Sequence, residues 1–290
     1  VVVVLLLSFT GVIFPHNTYI QCNDPSISHD YYKDTISVAA LISISIIVPF
    51  LVMVIVEWIN FLHRPIPSPF KRSFKRSYSL FSWYFIGNLF SLCIVEILKS
   101  TVSEPRPNFM STCSPNLTEE VCKHQYVVRW IHITYENCTN PMKLSHVRLL
   151  DTMKSFPSGH ASISVFTALF MTIYTHERVK TAWSELLPMW LNLIWWIWAS
   201  VCSASRVWDK KHHWWDVIVG GIIGVVISYA TVKCICKNFI EREKCSTSED
   251  KFSTGKISTS PDGRGTINIA SFPHSEVKET SIPQAIVPNS

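Results

Sequence analysis

Five stretches of this chain are each long and apolar enough to cross a bilayer as a helix: Ile36–Leu62, Leu80–Ser100, Phe156–Tyr174, Leu186–Ser203 and Trp215–Cys236. A hydrocarbon core of ~30 Å takes about 20 residues of helix, and its backbone groups find no water to bond. Those two facts leave helical spans as the architecture. A sixth stretch, Val1–Phe14, is short and has no basic segment ahead of it. We expect it to be the remainder of a first span, in preference to a cleaved signal sequence. The expected fold is all-α: a polytopic membrane protein, a six-helix transmembrane bundle with its first span truncated. Residues 1–237 form the membrane domain, with a loop at 101–155 on one side. Residues 238–290, rich in Ser, Thr, Pro and Lys, are expected to be a disordered tail.

The net charge of +5 is placed in a way that speaks for topology and against nucleic acid. HRPIPSPFKRSFKRSYS, residues 63–79, carries Arg64, Lys71, Arg72, Lys75 and Arg76 without an acid. Short basic loops stay in the cytoplasm and attract anionic lipid. Residues 15–35 and 101–155 then lie outside, and the tail inside. The N-x-S/T sequons, at Asn116 and Asn137, both fall in the outer loop and are candidates for N-glycosylation. Cys22, Cys113, Cys122 and Cys138 are also outside, where disulfides persist; four cysteines allow three pairings. Trp208, Trp214 and Trp215 sit at an interface, where aromatic rings gather at headgroup depth.

Against this topology, a set of polar residues collects at the outer ends of four spans. Lys99 and Arg106 lie seven apart, a spacing that puts both on one helix face up to the prolines at 105 and 107. Ser158, Gly159 and His160 open the next span, Arg206 closes another, and His212 and Asp216 begin the last. A lone lysine there snorkels, and a lone Ser-Gly caps a helix. The concentration of cations and histidines at one depth points instead to a site. Lys99, Arg106 and Arg206 are suited to grip phosphate oxygens, and a helix starting at Ser158–Gly159 adds backbone N–H groups. Asp216, four residues after His212, is placed to hold Nδ1–H and leave Nε2 as a nucleophile, with His160 as proton donor. His213 turns about 100° away on a helix and has no part in this scheme. The sequence shows no carboxylate cluster suited to Mg²⁺ and no spaced Cys/His set suited to zinc, so no metal and no cofactor are expected.

Three segments carry a resemblance: Lys99-x6-Arg106-Pro107, Pro157-Ser158-Gly159-His160, and Ser205-Arg206-x5-His212-x3-Asp216. They resemble the tripartite motif of the type-2 phosphatidic acid phosphatase superfamily. CNDPSISHDYYKDTIS, the basic loop and DKKHHWWDV make the chain most similar to the animal lipid phosphate phosphatases. The resemblance implies His212 as the nucleophile of a phosphohistidine, Asp216 as its partner and His160 as general acid. It implies Lys99, Arg106, Ser158, Gly159 and Arg206 as phosphate ligands. It further implies membrane-lipid substrates such as phosphatidate, lysophosphatidate, sphingosine 1-phosphate and ceramide 1-phosphate. The expected place is the plasma membrane, with the site extracellular or lumenal. A homo-oligomer is left open. Competing readings are a sugar-phosphate or isoprenoid-diphosphate phosphatase of the same superfamily, a silent lipid-binding relative, and a transporter. The transporter is disfavoured because its ionisable residues should line a midplane pathway.

Overall fold

The computed structural model describes residues 18–22, 24–62, 68–116, 130–179 and 186–253, with side chains omitted for Tyr135 and beyond residue 233. Val1–Phe14, Cys122, the rest of the first sequon and the tail after residue 253 lie outside them. The elements in order are β1 (Thr18–Gln21), α1 (Val38–Leu62, with a π-helical stretch at Ser43–Ile47), α2 (Pro69–Val102), α3 (Phe109–Cys113), β2 (Trp130–Ile133), α4 (His146–Asp151), α5 (Gly159–Arg178), α6 (Leu186–Trp208) and α7 (Trp214–Ser253). The chain divides into two units, 1–240 and 241–290, and the described part of the second is the end of α7.

Four helices, α1, α2, α6 and α7 as far as Lys233, are long and apolar enough to cross a membrane. This is a multi-pass membrane protein. The span expected at Phe156–Tyr174 is α5, and its composition differs because its surroundings differ. It packs against α1, α2 and α6, and it carries Ser162, Ser164, Thr167 and Thr175 fully buried. Their hydroxyls are satisfied locally: Thr167 donates to the Ile163 carbonyl (2.8 Å) and Thr175 to that of Met171 (2.9 Å), and the Ser162 and Ser91 hydroxyls share a bond of 2.7 Å. A helix enclosed by protein need not be uniformly apolar. Many apolar side chains of the other helices point outward, including Leu51, Ile55, Ile86, Phe90, Ile194, Ile197, Ile222 and Val226, as lipid contact requires.

Two glycines set how closely α7 approaches α5. A Cβ on Gly220 would stand 2.3 Å from the Ser158 carbonyl oxygen, and one on Gly224 2.5 Å from that of Ser162. Small residues four apart let two helix backbones touch. That contact brings the start of α7 against the start of α5, where the Ser158 N–H donates to the Asp216 carbonyl at 3.0 Å.

The basic segment departs from expectation. Lys71, Arg72, Lys75 and Arg76 are not in a loop but in the first turns of α2, which begins at Pro69 rather than near Leu80. Proline suits the first helical position, and Lys and Arg are good helix formers, so the helix extends past its apolar part. Arg76 reaches Glu57 of α1 (3.5 Å), which is fully buried and gripped at 2.8 Å through both oxygens by Arg178 at the end of α5. This cluster ties three helices together at the end of α5 opposite to Ser158.

Around the Ser158 end, the described parts of the loop at 101–155 share a small core with the segment before α1: Ile20, Ile27, Phe109, Cys113, Ile133 and Met153. β1 and β2 pair antiparallel, Thr18 opposite Ile133, and Cys113 is bonded to Cys138. Cys22 is disulfide-bonded as well. Asn116 and Asn137 are exposed.

Candidate active site

α2 stops at Val102 because Ser103 turns left-handed (φ 51°), its N–H returning to the Lys99 carbonyl. Arg106 therefore does not share a helix face with Lys99, contrary to the spacing argument. It is placed by tertiary contacts: its N–H donates to the Thr152 carbonyl (2.9 Å), Nε to the Asp151 carbonyl (2.8 Å) and Nη2 to the Asp151 carboxylate (2.7 Å). A guanidinium carries five N–H donors, so three of Arg106 stay free among the described residues. Lys99 is buried, with Nζ 3.6 Å from Glu96.

Ser158 is the N-cap of α5, yet its hydroxyl does not cap; Oγ is buried without a hydrogen-bond partner. It stands beside the unsatisfied N–H groups of the helix start, where an anion is favoured. His160 is the second residue of α5, with Nε2 3.5 Å from Arg206 Nη1.

Arg206 is almost wholly buried, and all five of its donors are engaged. Nε faces Ser205 Oγ (3.2 Å), Nη2 donates to the Ile36 carbonyl (2.9 Å) and Asp209 (3.1 Å), and Nη1 donates to Asp34 (2.9 Å) besides facing His160. Asp209 is held in turn by the N–H (2.8 Å) and hydroxyl (2.6 Å) of Thr35. Among the groups bonded to Arg206 itself, Asp34 is the exposed one, its side chain at 44%.

His212 precedes α7 instead of standing in it. Asp216 sits in the first turn and reaches back to accept the His213 N–H at 2.9 Å, the reciprocal bond of a capping box. This back-bond, rather than helical spacing, sets its carboxylate 3.5 Å from His212 Nδ1. Ser155 donates to the same oxygen at 2.5 Å and stands 3.5 Å from His212 Nδ1. Burial pushes the His212 pKa down to about 4; the Asp216 hydrogen bond opposes this, and the Arg106 and Lys99 charges add to it. The imidazole is neutral at pH 7, with a lone pair available. Its Nε2 makes no hydrogen bond among the described residues.

All eight expected residues thus gather where α5 and α7 begin and α2 and α6 end. The model of the PAP2 superfamily matches residues 80–240, more than half of the chain and all three motif segments. This chain belongs to the PAP2 superfamily. Phospholipid phosphatase 1 of Mus musculus is 33% identical over 221 residues, covering 74% of this chain and 73% of the relative. Phospholipid phosphatase 1 of Rattus norvegicus is 29% identical over 250 residues (80% and 82%). Phospholipid phosphatase 2 of Mus musculus is 26% identical over 256 residues (87% and 88%). No solved structure matches the chain.

This PAP2 site also holds residues that sequence reasoning passed over: Ser155 behind the histidine, Asp151 and Asp209 behind the arginines, and Asp34 on Arg206. Lys211, buried beside them, has its Nζ 3.6 Å from the Tyr31 ring centroid. Burial lowers its pKa to about 8 against the opposing charge of Asp34. Glu104, His213 and Asp216 also converge, a set that was not expected because Glu104 comes from the loop after α2.

Proposed function

We propose that this chain is a lipid phosphate phosphatase that hydrolyses phosphate monoesters of membrane lipids without a metal, by way of a phosphohistidine on His212. What supports this most is His212 itself: a buried, neutral imidazole with Asp216 behind Nδ1 and cations around it. Superfamily membership and relatives named phospholipid phosphatase support the substrate class.

The phosphate enters against Lys99, Arg106, Arg206, the Ser158 hydroxyl and the N–H groups of Gly159 and its neighbours. These donors take the charge on the non-bridging oxygens, the main demand of phosphoryl transfer. His212 Nε2 attacks phosphorus, and the bond from phosphorus to the lipid oxygen breaks. His160 gives that oxygen its proton. The cation developing on His212 is held by Asp216, which Ser155 and the His213 N–H orient. Water then attacks the phosphohistidine, losing a proton to His160. The P–N bond breaks, and inorganic phosphate leaves with both histidines restored.

The substrates this reading covers are phosphatidate, lysophosphatidate, sphingosine 1-phosphate and ceramide 1-phosphate. Exposed Trp208 and Trp214 beside the site support a position at headgroup depth, with the lipid tails left in the bilayer. The site faces the cell exterior or an organelle lumen, the plasma membrane first among these, with Asn116 and Asn137 glycosylated on the same side. The test is phosphate release from detergent-dispersed phosphatidate in excess EDTA, comparing the wild type with His212→Ala. Release by the wild type alone is expected. No release from phosphatidate, lysophosphatidate or sphingosine 1-phosphate by folded protein would refute the proposal.

A further inference from the structure

A carboxylate already sits where the proposed reaction puts a phosphate. Asp34, in the irregular segment before α1, sets Oδ1 2.9 Å from Arg206 Nη1, and its Oδ2 accepts no hydrogen bond among the described residues. The other partners of Arg206 are the Ile36 carbonyl, the Ser205 hydroxyl and Asp209, all from buried residues. Asp34 alone among them is exposed, so it is the partner that a phosphate displaces.

Displacement does not take this carboxylate far. The next residue, Thr35, is fixed to Asp209 through its N–H (2.8 Å) and its hydroxyl (2.6 Å). The Ile36 carbonyl is fixed to Arg206 Nη2 (2.9 Å), and the Ile36 side chain is buried. On the other side of Asp34, the Tyr31 ring centroid lies 3.6 Å from Lys211 Nζ. The backbone is therefore held on both sides, and the Asp34 side chain alone is left to turn. It stays beside the bound phosphate, where two anions repel unless a cation joins them. Lys211 is buried, with its ammonium on the Tyr31 ring. The lipid itself is the other source of a cation. The Nη1 that holds Asp34 also lies 3.5 Å from His160 Nε2, the proton donor of the proposed reaction. Asp34 is thus on the side from which the lipid oxygen departs, next to the carbons which that oxygen carries. An ammonium on the second of those carbons is four bonds from phosphorus, roughly 4–5 Å away, within reach of a carboxylate that neighbours the phosphate.

We propose that Asp34 is a specificity-determining residue: it favours lipid phosphates with an ammonium on the carbon next to the ester carbon, the pattern of sphingosine 1-phosphate, over those with a neutral group there. This preference rests on the function proposed above, because it takes the phosphate to lie on Arg206. A lipid phosphate without the ammonium leaves the displaced carboxylate facing the phosphate unpaired.

The experiment uses the full chain in detergent with EDTA and two probes, 2-aminooctadecyl phosphate and 2-hydroxyoctadecyl phosphate, which differ only in ammonium against hydroxyl. The readout is the ratio of kcat/KM for the amine to that for the hydroxyl, compared between wild type and Asp34→Asn. The comparison cancels the different leaving-group acidities of the two esters, and a merely structural defect lowers both rates and leaves the ratio alone. Asp34→Asn should raise kcat/KM for the hydroxyl ester more than for the amine ester, so that the ratio falls by about fivefold, the scale of a half-exposed ion pair. Binding is read separately, as the shift in thermal unfolding that each probe gives to His212→Ala with and without Asp34→Asn. Hydrolysis of both probes with the same ratio in wild type and Asp34→Asn would overturn the proposal and leave the phosphatase standing, the carboxylate then turning to Lys211 or to water. No hydrolysis by the wild type, with an amine preference in binding that Asp34→Asn removes, would uphold the role of Asp34 and refute the proposed function. No hydrolysis and no such preference would overturn both.

Discussion

Gly220→Ala tests whether the contact between α5 and α7 assembles the site. The added Cβ would meet the Ser158 carbonyl oxygen at 2.3 Å, where ordinary contact begins at 3.4 Å. Neither partner is a flexible side chain, so the two helix starts must separate by about 1 Å, a strain of the kind that costs ~1–3 kcal/mol in a packed interior. Asp216 lies one helical turn before residue 220 and bonds Ser158 through its carbonyl. The shift therefore carries the His212–Asp216 pair away from the phosphate donors at Ser158. A displacement of this size costs ~10²-fold in rate when reacting groups must be aligned. The assay is initial phosphate release at saturating dispersed phosphatidate in EDTA, with thermal unfolding measured alongside. Gly221→Ala is the control: its Cβ would stand 3.8 Å from Val165, an ordinary contact, and a helical Gly→Ala change is favourable by about 1 kcal/mol. Gly220→Ala at wild-type rate, or Gly221→Ala equally impaired, would refute the reasoning.

Two further outcomes follow from the geometry of the arginine and the histidine. Because every donor of Arg206 is engaged, a phosphate reaches it by displacing the exposed Asp34; Asp34→Asn should lower KM by about tenfold with kcat within about a factor of two, and a raised KM would contradict this. The low pKa of His212, about 4, predicts an acid-side loss of stability. The unfolded imidazole takes a proton near pH 6.5 and the folded one does not, so stability falls as pH falls between these values, by about 2 kcal/mol from pH 7 to pH 5. Unfolding of the wild type and His212→Asn in EDTA at both pH values measures it, and equal pH dependence in the two would count against it.

The residues of the candidate site were legible in the sequence because cations, histidines and a serine-glycine pair stand out at the ends of apolar runs. Five spans were read from apolar length; four of them are helices apolar enough to cross a membrane, and the other is α5. What was not legible depends on contacts between distant residues. Asp34, from the segment before α1, meets Arg206, and in the loop at 101–155 Glu104 meets His213 and Asp151 meets Arg106; such contacts leave no local pattern. The enclosure of α5 by α1, α2 and α6 explains its buried serines and threonines, which set it apart from the other four. His213 was set aside by assuming a helix through residue 212. The spacing His213-x-x-Asp216 carries the signal of a helix start that would have corrected this, since an acid three residues after a cap accepts its N–H.

The central claim is that phosphate passes through His212. Rapid quenching of the enzyme during turnover of ³²P-labelled phosphatidate in EDTA, followed by peptide mapping, tests it most directly. The account predicts label on His212 that is lost in acid and kept in alkali, and none in His212→Asn. Turnover by the wild type with no trapped label, or label retained in the variant, would contradict it.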